Sequence, residues 1–196
     1  MLSVVNGLKN SALVFVKPHA SSEQVAAFVR DRLTAAGLSI VGSGIKTAEE
    51  IEERKLIDQH YGSLARLAME TRPVDFSPSE QALASFEETY GIAWADALTS
   101  IVRNDEALNN LGIDGLALET MWRSGTQLKL APGTYVSRLD KSGDAMFTIN
   151  GFYPAMRMAF VEPGATVSGL FFSLSASFLA GSKVWTRCMP VIASGK

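Results

Sequence analysis

The sequence is short of cysteine and histidine, has no large excess of charge of either sign, and contains no long apolar run. Each shortage removes a class of protein. The single cysteine, Cys188, cannot close an internal disulfide and fits a reducing compartment. The two histidines, His19 and His60, have no evident carboxylate or cysteine set beside them, which argues against a zinc site. A formal net charge of -2 over 196 residues sets up no strong field toward nucleic acid or an anionic membrane. The longest apolar stretch, around 167–180, is interrupted by serines and is too short to span a bilayer. Residues 1–10 show neither a basic n-region nor an apolar h-region, so no secretory leader is expected there. At 47% hydrophobic and 19% charged, the chain reads as globular and able to bury a core. Its length suits one domain, or one domain with a sizeable insertion, and a cytoplasmic location is expected.

What is present begins with Leu13-Val14-Phe15-Val16-Lys17-Pro18-His19. An apolar run ends in a lysine, and a proline with a fixed φ and no N–H then stops the strand. Lys17 is thereby delivered to a strand mouth, where sites are commonly built. Ser21 and Gln24 have capping-box spacing for a helix starting near Ser22. Val25, Phe28, Val29 and Leu33 fall on one face of that helix, and Gly37 is placed to end it. Strand character resumes at Leu38-Ser39-Ile40-Val41, with Gly42 and Gly44 weakening or bulging its end. Thr47 and Glu50 form a second capping box, predicting a helix that runs toward His60-Tyr61. Its Glu49-Glu50 and Glu52-Glu53-Arg54-Lys55 charges read as a solvated face.

From about residue 66 the texture changes. Ser77-Pro78-Ser79-Glu80 predicts a helix with Ser77 as N-cap, closing at Gly91, and shorter helical pieces follow around 94–101 and 116–122. After the Pro132-Gly133 turn, residues 134–139 and 145–149 flank Lys141-Ser142-Gly143-Asp144 and read as a hairpin. Residues 152–160 are a helix candidate, Pro163-Gly164 a turn, and 166–174 a strand. Phe171, Phe172, Trp94 and Trp122 are expected core anchors. Residues 175–196 show no clear period, and Cys188 has no motif around it.

Val16-Lys17-Pro18-His19, the helix to Gly37, the strand of residues 38–45 and His60-Tyr61-Gly62-Ser63-Leu64, taken in that order, resemble the nucleoside diphosphate kinase family. The match covers about residues 11–65 and resumes more weakly at 152–174. The resemblance implies an α+β fold with a ferredoxin-like antiparallel sheet and packed helices. The kinase-like domain would span 11–174, with core segments 11–65 and 145–174 around a mainly helical insertion of about 66–144, and 175–196 as a C-terminal tail. It also implies a histidine that is phosphorylated by one nucleoside triphosphate and passes the group to a nucleoside diphosphate, with Mg²⁺ bridging phosphates. Lys17 matches the lysine that contacts phosphate, Tyr61 the tyrosine beside the reactive histidine, and Arg187 is an echo of a phosphate-clamping arginine.

The departures bear on activity. The family nucleophile lies in an Asn-x-x-His-Gly-Ser motif after the third strand, whereas His19 and His60 both precede it and no His-Gly-Ser occurs in the sequence. The aspartate usual after Lys-Pro is His19 here. The expectation is a protein with no catalytic histidine, degenerate in phosphoryl transfer, holding nucleotide or phosphate weakly through Lys17, Tyr61 and Arg187, with Mg²⁺ and ATP as the cofactor pair. One alternative is a non-catalytic interaction module of a cytoskeletal or flagellar assembly, pairing with a second copy or another protein through an exposed sheet edge. Another is an active kinase with an unorthodox site. Neither nucleic acid nor membrane is an expected partner.

Overall fold

A computed structural model describes residues 11–141 and 144–173. Its elements run β1 (Ser11–Val16), α1 (Glu23–Ala35), β2 (Ser39–Thr47), α2 (Ala48–Glu53), α3 (Leu56–His60), α4 (Gly62–Met69), α5 (Glu80–Tyr90), α6 (Trp94–Ala97) and β3 (Ile101–Val102). They continue as α7 (Asn104–Leu111), α8 (Gly115–Ser124), β4 (Leu128–Ala131), β5 (Thr134–Lys141), β6 (Asp144–Ile149), α9 (Tyr153–Val161) and β7 (Thr166–Ser173). Short 3-10 turns occupy Pro18–Ala20 and Pro73–Asp75. The protein is α+β and divides into two compact units, one joining the chain up to Glu50 with the chain from Pro163, the other running Ile51–Glu162.

In the first unit β7 lies between β1 and β2 and is antiparallel to both, giving the order β1-β7-β2. Strands β1 and β2 therefore run parallel to each other, and α1 is the crossover between them. The helix starts where Ser22 accepts the N–H of Val25 at 3.2 Å, one residue after the Ser21 that the capping-box spacing favoured. It ends in a Schellman motif: Gly37 adopts φ +82, its N–H reaches Thr34 O at 2.9 Å, and Leu38 N–H reaches Leu33 O at 3.1 Å. Leu33 and Leu38 then pack with Leu170 and Phe172, with Ala12, Val14, Val29 and Ile40 around them. Strand β2 continues past its glycines to Thr47, and its bulge between Ile40 and Gly42 leaves Val41 exposed.

One expected core anchor of this unit, Phe171, is corrected, and one residue of the expected apolar helix face, Phe28, is not buried. Phe171 alternates with Phe172 along β7, so only Phe172 joins the buried cluster while Phe171 stays 44% exposed. Phe28 is half exposed on α1, with the Arg32 guanidinium 5.4 Å from its ring centre.

The second unit is built around Phe86 of α5, which is fully buried against Tyr90, Trp94 and Phe147 at ring separations of 4.8, 5.0 and 5.4 Å. Burying a phenylalanine of this kind is worth about 1.5–3 kcal/mol. A mixed sheet of order β3-β6-β5-β4 carries this core, with β3 parallel to β6 and the other pairs antiparallel. A second cluster joins Ala107, Leu111, Leu118, Trp122 and Leu139. Asn150 is fully buried at φ 51. Its Oδ1 accepts Tyr135 N–H at 3.0 Å, its Nδ2 donates to Gly133 O at 3.1 Å, and its carbonyl accepts from Asn104 Nδ2 at 3.1 Å. The next residue must be glycine, because a Cβ at Gly151 would meet Trp122 Cδ1 at 2.6 Å.

Several local expectations change here. The single helix expected from Thr47 to His60 is two pieces, because Lys55 turns into the left-handed region at φ 50 and interrupts the hydrogen-bond ladder between α2 and α3. The α5 N-cap is Ser79, not Ser77: Ser79 accepts the N–H of Ala82 at 3.3 Å, and Pro78 stays outside the helix. The helical piece expected over 94–101 is α6 followed by β3. The segment expected as a mainly helical insertion of 66–144 contains β3, β4 and β5, and β6 pairs with β3 and β5 rather than with the first sheet. The boundaries between the units fall at Glu50 and Glu162, where the expected core was 11–65 and 145–174. Arg187, Cys188 and the tail 175–196 lie outside the described residues.

Candidate functional site

Lys17 follows the last residue of β1 and is exposed, with the Pro18–Ala20 turn immediately after it. Ala20 N–H closes that turn onto Lys17 O at 2.9 Å, and Ser21 N–H onto Pro18 O at 3.1 Å. Ser21 Oγ lies 3.3 Å from both Thr166 Oγ1 and Ser168 Oγ, so the turn is tied to the start of β7 by hydroxyls. Val16 is in register with Ser168, which puts the backbone after β1 beside that hydroxyl pair. The site thus offers a lysine and three hydroxyls from one end of the first sheet. Sequence reading missed the hydroxyls, because nothing local links Ser21 to residues 145 and 147 positions away. His19 is exposed and makes no hydrogen bond or ion pair among the described residues.

Tyr61 belongs to the second unit, between α3 and α4, and is half-buried beside Ala65, Ala68 and Tyr153. Burial raises its hydroxyl above the ordinary tyrosine value. His60 is exposed and meets Tyr61 edge-on at 4.8 Å between ring centres. Lys17 and Tyr61 thus fall in different units.

The densest charged cluster in the second unit was not anticipated. Arg157 on α9 donates from Nε to Asp58 Oδ1 at 2.8 Å and from Nη2 to Asp58 Oδ2 at 3.1 Å. Its Nη2 also reaches Glu52 Oε2 at 2.6 Å, and Glu52 is held by Lys55 as well. The Tyr153 hydroxyl, one helical turn before Arg157, donates to Asp58 Oδ1. Burial alone would raise the Asp58 carboxyl, but the hydrogen bonds from Arg157 and Tyr153, with the guanidinium's charge, outweigh it and hold the group below its ordinary value. Burial, then Asp58's acceptance and charge, push the Tyr153 hydroxyl far up, so it remains a donor. Glu52 is lowered first by its hydrogen bond to Lys55, and Arg157 is raised chiefly by Asp58. Two carboxylates and two cations cancel, and the donors are committed to the two carboxylates. Such a cluster clamps α2, α3 and α9 together and presents no free base or nucleophile. The one sequence signal for it is the four-residue spacing of Tyr153 and Arg157.

Among the described residues no group of three or more His, Cys, Asp or Glu side chains is arranged to hold a metal ion, and no helix is long and apolar enough to cross a membrane. The fold defines the class of the protein as α+β. Compared with protein-family models, curated proteins and solved structures, the chain has no significant match in any of the three.

Proposed function

We propose that the chain is a divergent nucleoside diphosphate kinase-like protein, degenerate in phosphoryl transfer, that keeps weak phosphate or nucleotide affinity at the mouth of β1. The observation that carries this reading is the strand order β1-β7-β2 with α1 as crossover. Three strands of a ferredoxin-like core have this arrangement, and Lys17-Pro18 stands at the corresponding strand end. Lys17 acts as a point charge on a phosphate, and the Ser21, Thr166 and Ser168 hydroxyls add neutral donors at the same end of the sheet. A triphosphate needs several cations to neutralise it; the described end of this sheet has Lys17 and Lys46, and Lys46 is paired with Glu50, which fits weak binding. Mg²⁺ in such a complex would be held by the nucleotide's own phosphates, since the described residues offer no ligand set of their own.

Covalent transfer also needs an oriented nucleophile. His19 is two residues from Lys17 but has no orienting partner among the described residues, and His60 is engaged with Tyr61 in the other unit. The reading is tested by following phosphate transfer from ATP to GDP. The expected result is no transfer above background. Robust transfer that disappears on substituting His19 or His60 would overturn it.

A second reading, an interaction module, is favoured by β2. Among the described residues this strand is paired on one side only, and Val41 and Ile45 are 48% and 65% exposed along it. Self-association through that edge would be abolished by Ile45→Lys, read by analytical ultracentrifugation. A concentration-independent monomer counts against this reading.

A further inference from the structure

The loop between α4 and α5 carries the sequence's one serine or threonine that precedes a proline, Ser77-Pro78. Its backbone is extended on both sides, with Phe76 at φ -101, ψ 120 and Ser79 at φ -66, ψ 158. Pro78 itself disfavours the helical region for Ser77. The Phe76 ring packs onto the second unit's core, 6.2 Å from Trp94 between ring centres. The next residue, Ser77, faces water. The loop is therefore tethered, while the serine hydroxyl stands on an accessible, extended segment. Several other hydroxyls of the chain lack these properties. Ser79 is committed as the α5 cap, Ser22 and Thr47 accept helix N–H groups, and Thr134, Ser137 and Thr148 are buried.

We propose that Ser77 is a phosphorylation site for a proline-directed serine kinase. Ser77 Oγ attacks the γ-phosphorus of the kinase's Mg-ATP and forms the new O–P bond. The bond from that phosphorus to the β–γ bridging oxygen breaks, ADP leaves, and the hydroxyl proton passes to the kinase's catalytic base. The product adds a charge of about -1.5 to -2 and three acceptor oxygens to the loop. They arrive five residues after Arg72, whose exposed guanidinium now forks onto Asp75 at 2.8 and 2.9 Å.

The test is to incubate the full chain with a purified proline-directed kinase of the cyclin-dependent class and labelled ATP, then map the phosphopeptides by mass spectrometry. Ser77 is expected to carry the label. Ser77→Ala should abolish it, Ser79→Ala should keep it, and Pro78→Ala should slow it by at least about tenfold, the loss of one favourable contact in the transition state. No label at Ser77 in the folded chain, or an undiminished rate in Pro78→Ala, would overturn the proposal.

Discussion

The two units differ in how completely they enclose their apolar residues. In the second unit Phe86, Leu118, Leu139, Phe147, Tyr153 and Phe160 are all essentially inaccessible, and buried Asn104, Thr148 and Asn150 are hydrogen-bonded among themselves. In the first, Leu33, Leu38, Leu170 and Phe172 form the buried cluster, while Leu13, Phe28, Val41, Ile45 and Phe171 remain exposed. The motif that suggests a function, Val16-Lys17-Pro18, sits in the more open unit. The other piece of that resemblance, His60-Tyr61-Gly62-Ser63-Leu64, lies in the unit with the deeper core. A substitution's effect on stability should therefore depend strongly on which unit it strikes.

The sharpest way to break that contrast is to truncate one phenylalanine in each unit. Phe86→Ala removes a fully buried ring surrounded by three aromatics and should cost about 3–5 kcal/mol in denaturant unfolding. Phe171→Ala, at a half-exposed ring, should cost less than about 1 kcal/mol. Comparable losses would mean that the first unit depends on Phe171 packing that its exposure does not show.

Asn150→Ala comes next. It leaves Tyr135 N–H and Gly133 O without their side-chain partners, at about 1–3 kcal/mol for the unsatisfied groups. It also places alanine at φ 51, at about 1–2 kcal/mol. Thermal melting should show the sum, and a change within error would remove the buried network from the account of this unit.

Arg157→Gln should cost about 2 kcal/mol at neutral pH, below the 3–5 kcal/mol of a fully buried pair, because both partners keep some exposure. The Asp58 carboxyl is held below its ordinary value, so its contribution is complete above that value, near pH 4, and is lost as pH falls through the lower folded-state value. Stability measured from pH 7 to pH 2 should therefore fall more steeply in the parent than in Arg157→Gln. Parallel curves would show that the guanidinium is not what stabilises the ionised carboxylate.

Lys17→Ala should have the smallest effect on folding, within about 0.5 kcal/mol, since the side chain is exposed and unpaired among the described residues. If it binds phosphate, its loss should instead appear in isothermal titration with ATP. A large drop in melting temperature would mark Lys17 as a structural residue.

Much of the first unit was legible in its local signals. The proline after Lys17 and the Gly37 terminator each act within a few residues, and the corresponding elements formed where they pointed. The hairpin of β5 and β6 and the helix after Asn150-Gly151 were legible for the same reason. What escaped depended on distant partners. The two-residue strand β3 exists because β6 pairs with it, and α7 begins at Asn104, whose amide reaches Asn150 across the chain. The break at Lys55 and the shift of the cap from Ser77 to Ser79 are choices among locally similar alternatives. At the candidate site Lys17 was legible from the Lys-Pro step, but the three hydroxyls beside the turn and the Arg157 clamp were not, because each joins residues about a hundred or more positions apart.

The proposed function turns most on whether a working nucleophile stands beside Lys17. The direct measurement is to mix the full chain with Mg²⁺ and ATP labelled at the γ-phosphate, quench rapidly in alkali, and look for an acid-labile phosphoenzyme. The account predicts no covalent label in the parent chain, with any ATP affinity reduced in Lys17→Ala. A phosphohistidine at His19 or His60, formed at the first turnover and discharged by GDP, would contradict it.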